Sequence, residues 1–268
     1  MGSVSGVTEA STRSPWRAVV VPSEHGGFAL TLEPALLGLV VAPSVAGGAL
    51  AIAAFVAFLV RTPLKVLLVD RRRGRALERD ALAFRVVAVE LTVVAAMVAV
   101  ALTRAGVEWV VPFAIALPLF GVELWYDARS RGRRVVPEVS GAIGITAVVA
   151  SIALAGGESS ALAIAMWLVL AGRAAASVPF ARVQVQRLRS TPPPPTISDL
   201  SQLVGVVLAA AAAAVDRAVL AGAAAVVVVA VVQLAWSRGP ARPALVVGLS
   251  QLGFGLLVVA ATAIGVLT

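Results

Sequence analysis

Hydrophobic residues fall in nine blocks, near residues 27–42, 46–69, 82–103, 108–126, 138–156, 160–181, 200–215, 218–236 and 244–267. Most of them match the roughly 17 to 25 residues that a helix rising 1.5 Å per residue needs to cross a bilayer. Sixty per cent of the 268 residues are apolar and 13% are charged, more hydrophobic surface than a water-soluble core can hide. The chain is therefore expected to be an all-α integral membrane protein of about nine transmembrane helices. Pro43 with Gly47 and Gly48, Gly156 with Gly157, and Asp216 with Arg217 mark its tightest turns.

Charge placement orients the helices. Numbering the connections alternately puts 20 of the 22 Lys and Arg on one side, leaving only Arg104 and Arg217 on the other. Cations are held on the cytoplasmic face of a plasma membrane, so the N-terminus is expected inside and the C-terminus outside. The net charge of +8 then reads as topology and not as a nucleic-acid surface. Residues 1–22 are polar and are expected to form a flexible cytoplasmic tail, with residues 23–268 a single transmembrane helical domain. Cysteine is absent, which excludes disulfides and thiol chemistry. The connection from Arg187 to Asp199 contains Pro192 to Pro195 and reads as a stiff strut between two groups of helices.

An ionisable group at membrane depth is costly unless it is paired or solvated, so each one is a candidate site residue. Glu24 and His25, the only histidine, precede Gly26 and Gly27 at the mouth of the first helix, with Glu33 further in. On helix two, Arg61 and Lys65 lie one turn apart, while Asp70 is roughly 140° around from Lys65. Lys65 is the single lysine among 22 basic residues. On helix four, Glu123 and Asp127 share a face, the arrangement two carboxylates need to bind one cation or poise one proton, and Tyr126 sits between them. A further basic group, Arg173, Arg182, Arg187 and Arg189, contains no acid. Glu90, alone in helix three, is expected to meet an arginine of a neighbouring helix.

Pro22, Ser23, Glu24, His25, Gly26 and Gly27, then Glu33, Pro34, Leu37 and Gly38, and then Arg61 to Lys65 resemble YwiC-like membrane proteins. A more distant resemblance, carried by the nine helices and the polar cap, is to the UbiA superfamily of intramembrane prenyltransferases. That resemblance implies acidic motifs at the ends of helices two and six that hold Mg²⁺ and a prenyl diphosphate. Asp70 matches one acidic position of the first motif, with Val66 and Gly74 at the others, and Arg182, Gln184 and Gln186 stand where the second motif would be. Tyr126 and Arg129 to Arg134 are similar to the superfamily's connection between helices four and five.

The resulting expectation is a UbiA-like protein whose cytoplasm-facing cavity binds an isoprenoid or other membrane lipid, with a divergent prenyltransferase as its enzymatic form. Asp70, Glu123, Asp127 and His25 are its candidate catalytic groups. Glu24, Arg61, Lys65, Tyr126, Arg173 and Arg182 are its candidate substrate-binding groups, and Glu123 with Asp127 would hold Mg²⁺ if any is bound. The alternative is a lipid-binding, transport or assembly protein that uses the same polar ring without chemistry. Either way Glu24, His25, Asp70, Glu123 and Asp127 are expected to converge near Arg61 and Lys65, with Asp70 as a partner of one of those cations.

Overall fold

Short polar breaks decide where each helix of the computed structural model stops. The structure describes residues 25–75, 77–132, 134–188 and 194–268, with the backbone alone for 25–27. The tail, Glu24, the His25 side chain and residues 189–193 of the proline-rich strut lie outside the described residues. Helix α1 (His25–Val41) turns at Pro43 into α2 (Val45–Arg72). Ser44 caps α2, its hydroxyl accepting the Gly47 N–H at 2.9 Å. Gly74 turns the chain with φ +65°, and the Asp80 carboxylate accepts the Leu77 N–H at 2.9 Å to start α3 (Glu78–Arg104). Then follow α4 (Val110–Ala128), α5 (Val135–Ala155) and α6 (Ser160–Gln186), the last capped by Ser159. Helix α7 (Thr196–Val215) ends at Asp216, whose side chain accepts the Ala218 N–H, so α7 and α8 (Leu220–Arg238) are separate helices. Helix α9 (Ala244–Leu267) follows Pro243.

Eight of the helical segments are long and apolar enough to cross a membrane, and the apolar part of α1, Phe28–Val41, is shorter. This is the architecture of a multi-pass membrane protein. Several helices outrun their apolar blocks: α2 continues to Arg72, α3 begins at Glu78 and α6 continues to Gln186. Backbone hydrogen bonding within a helix does not depend on side-chain polarity, so turns carrying charge extend past the hydrocarbon.

Helices α5 and α6 form the centre of the bundle. Val148, Val149, Ala150, Ile152 and Ala153 of α5 and Ala163, Ala165, Met166, Val169 and Leu170 of α6 are all buried. Helices α1, α2 and α4 lie against α5, whereas α7 and α9 lie against α6. The α6–α7 contact is the tightest kind: a Cβ on Gly172 would come within 2.8 Å of the Gly205 carbonyl oxygen, so the absent side chains set the helix separation. Helix α3 packs chiefly on α2 and turns most of its surface outward, including Phe84, Val89 and Leu91. Glu90 lies on this edge helix, and its Oε2 has no hydrogen-bond partner among the described residues. The expected arginine does not reach it because the one arginine deep in neighbouring α2, Arg61, turns toward α4 instead.

Candidate functional site

Two pairs spaced by one helical turn face each other across α2 and α4. Arg61 Nε lies 2.9 Å from Asp127 Oδ2 and Arg61 Nη1 lies 2.9 Å from Glu123 Oε1. Lys65 Nζ lies 2.8 Å from Asp127 Oδ1. Asp127 is fully buried, yet both of its oxygens accept charge-assisted hydrogen bonds. The cluster needs glycine on two sides. A Cβ on Gly132, in the α4–α5 connection, would overlap Asp127 Oδ1, and one on Gly141 of α5 would overlap the Glu123 carboxylate.

The pattern continues around the bundle. Glu138, one turn before Gly141 on α5, meets Arg182 of α6 at 2.8 Å. Deeper in, Arg173 of α6 meets Glu33 of α1 at 3.0 Å, donates to the Ser177 hydroxyl at 2.9 Å and donates to the Gln251 backbone carbonyl of α9. Arg173 and Glu33 are 3% and 4% exposed, so the pair is out of reach of bulk water and each charge depends on the other.

Arg61, Glu123, Glu138, Arg173 and Arg182 line one large cavity of about 1630 Å³. Phe28, Phe58, Val98, Trp109, Phe113 and Ile145 line its apolar body, and Arg61, Glu123, Glu138 and Arg182 stand where α2, α4, α5 and α6 approach the basic end. Along α4 alone the lining runs from Val110 to Leu124, about 21 Å at 1.5 Å per residue. That volume exceeds the roughly 300–1,000 Å³ of pockets for drug-sized ligands, and its shape suits a long apolar molecule.

Several sequence expectations change on this frame. Asp70 meets neither Arg61 nor Lys65. It accepts three hydrogen bonds of 2.6–2.8 Å from Arg79 across the α2–α3 turn, and it does not line the cavity. Its position roughly 140° around α2 from Lys65 carries it to the other side of the helix. Lys65 and Asp127 brace the wall without lining the cavity. Tyr126 stands beside Trp125, ring centroids 4.9 Å apart, with Arg129 over the Trp125 ring, and it is not among the lining residues. Arg173 and Arg182, which have no acid near them in sequence, find theirs on α1 and α5. Arg173 is also no loop residue: it lies 13 positions before the end of α6, about 20 Å in.

Glu138 escaped the sequence reading because an acid in the first turn of a helix reads as a partner for the helix dipole.

The described carboxylates do not form the donor set that two Mg²⁺ ions on a diphosphate require. Among the described residues no three His, Asp or Glu side chains gather in one place. The oxygens of Asp70 and Asp127 are taken by Arg79, Arg61 and Lys65, and an arginine is no metal ligand.

A family model described as YwiC-like protein covers residues 21–154, half of the chain. No curated protein and no solved structure matches. The matched stretch runs from α1 through nearly all of α5 and contains Glu33, Arg61, Lys65, Glu123, Asp127 and Glu138, while Arg173 and Arg182 lie beyond it. By that match, the chain belongs to the YwiC-like family.

Proposed function

We propose that the protein holds an isoprenoid or other membrane lipid in the cavity between α1, α2, α3, α4, α5, α6 and α9, with the ligand's head at the basic end. The observation that carries this reading is the contrast along one cavity: an apolar body about 15 Å long, from Val110 to Phe120 along α4, beneath a rim of Arg61, Glu123, Glu138 and Arg182. Such a gradient fits an amphiphile and no small polar solute. The nine-helix order and the polar rim support a UbiA-like arrangement. The excess of cations at the rim end supports placing it in the cytoplasmic leaflet of the plasma membrane, which a reporter fused after Ser190 would test by reading as cytoplasmic while one after Thr268 reads as external.

A catalytic version of this reading uses Glu123 or Glu138 as the base at the head, each beside an arginine that steadies developing negative charge. No step through Mg²⁺ belongs to it. A second reading, retention or delivery of the lipid without chemistry, is favoured by one observation: each of these carboxylates is already hydrogen-bonded to a cation, an arrangement that holds helices together. Lipids extracted from the purified protein and identified by mass spectrometry test both versions. Near-stoichiometric retention of an isoprenoid or another single lipid class, lost in Ala57→Trp, which fills the cavity wall, is the expected result. A lipid profile identical to that of the bulk membrane in both proteins would refute the reading. Turnover of the retained lipid then separates catalysis from retention.

A further inference from the structure

We infer that the ligand of this cavity carries an uncharged head, an alcohol or carbonyl type, and is not a prenyl diphosphate. The inference rests on the lipid-holding reading above and specifies its substrate class. The charged residues lining the cavity are Arg61, Arg173, Arg182, Glu123 and Glu138. Their ion-pair partners behind the wall are Lys65, Asp127 and Glu33. The set among the described residues is therefore four cations and four carboxylates, net zero.

Each arginine is also geometrically committed. Arg61 spans two carboxylates, Arg173 is enclosed by Glu33, Ser177 and the Gln251 carbonyl, and Arg182 rests on Glu138. A phosphate head needs arginine forks presented to it, whereas here those forks already face carboxylates that would repel it. Entry of a diphosphate would place several negative charges beside Glu123 and Glu138, with no net positive charge in this set of described residues to offset them. An uncharged hydroxyl or carbonyl meets no such penalty. It finds N–H donors and carboxylate acceptors side by side, so a small neutral head can hydrogen-bond without displacing either partner.

Geranylgeraniol and geranylgeranyl diphosphate share one tail and differ only in the head, so they isolate this property. Their binding to the purified protein in nanodiscs of zwitterionic lipid can be followed through tryptophan fluorescence, because Trp109 lines the cavity. The alcohol is expected to bind at least about tenfold more tightly than the diphosphate. Glu138→Gln, which leaves Arg182 with its charge uncompensated by that residue, is expected to shrink the ratio of the two affinities by about tenfold, in favour of the diphosphate. Equal or tighter binding of the diphosphate by the native protein would overturn the inference while leaving the lipid-holding reading intact, and so would a ratio unmoved by Glu138→Gln. Failure of both ligands to bind, together with no retained lipid, would remove the reading itself.

Discussion

The protein secures its two halves by different means. Around the cavity, α1, α2, α4, α5 and α6 are tied by ion pairs: Arg61 with Asp127 and Glu123, Arg182 with Glu138, Arg173 with Glu33. On the far side, α6 to α9 are tied by neutral amides. Gln202 donates to Gln233 at 2.9 Å, Gln233 donates to Gln251 at 3.2 Å, and Gln184 donates to Ser237 at 3.3 Å. Gln184, Gln202 and Gln233 are fully buried or nearly so. The two networks meet at Gln251, whose side chain ends the amide chain and whose backbone carbonyl accepts from Arg173. The difference follows from solvation. Arg61, Glu123, Glu138 and Arg182 at the rim keep partial contact with water and the enclosed Arg173–Glu33 pair is compensated by its own charges and hydrogen bonds, whereas a sealed helix contact tolerates amides, which cost less to desolvate. Charge marks the wall of the cavity, and amides mark the buried seam, where the Arg238–Asp199 ion pair between α8 and α7 lies at the exposed end.

The largest effect is expected where the rim is broken on one side. Asp127→Ala leaves Arg61 and Lys65 facing a buried void. It should destabilise the protein by about 3 kcal/mol, the low end for a broken buried pair because both cations are partly exposed. Thermal unfolding in detergent would measure the loss. Next comes Gly141→Ala, whose new Cβ collides with the Glu123 carboxylate and should cost about 1–3 kcal/mol while loosening the α4–α5 contact.

The seam should be softer. Gln233→Leu removes one amide from a chain of neutral hydrogen bonds, and a loss of about 1 kcal/mol is expected from values for polar contacts between membrane helices. A loss exceeding that of Asp127→Ala would break the contrast between the two regions. The smallest effect belongs to Asp70→Ala. Its partner Arg79 is 45% exposed and stays solvated, so stability should change by no more than about 1 kcal/mol. A change as large as that of Asp127→Ala would place Asp70 in the rim after all.

Membrane class, helix number and the Arg61–Lys65 and Glu123–Asp127 pairs were legible in the sequence, because hydrophobic blocks and one-turn spacing are local signals. The partners of those pairs were only half legible. Spacing puts Glu123 and Asp127 on one face of α4, and the opposed stripe on α2 is the natural complement. Asp70 shows the limit: lying near Lys65 along the chain says nothing once the helix has turned it away. Glu138 and the Glu33–Arg173 pair were hidden for a different reason. Each joins helices far apart in sequence, 140 positions in the case of Glu33 and Arg173, and no local pattern records which helices become neighbours. The cavity itself was inferred from charge and family resemblance alone, since a void leaves no residue of its own.

Where a long apolar tail lies is the most direct test of the account. A photoreactive prenyl alcohol with its reactive group at the tail end, added to the protein in nanodiscs and followed by peptide mapping, reads that position. Labelling is expected within the cavity, on peptides bearing Phe113 and Ile145, and Ala57→Trp should suppress it. Labelling confined to outward faces such as those of Leu203 and Val231, and unchanged by Ala57→Trp, would contradict a lipid-holding cavity.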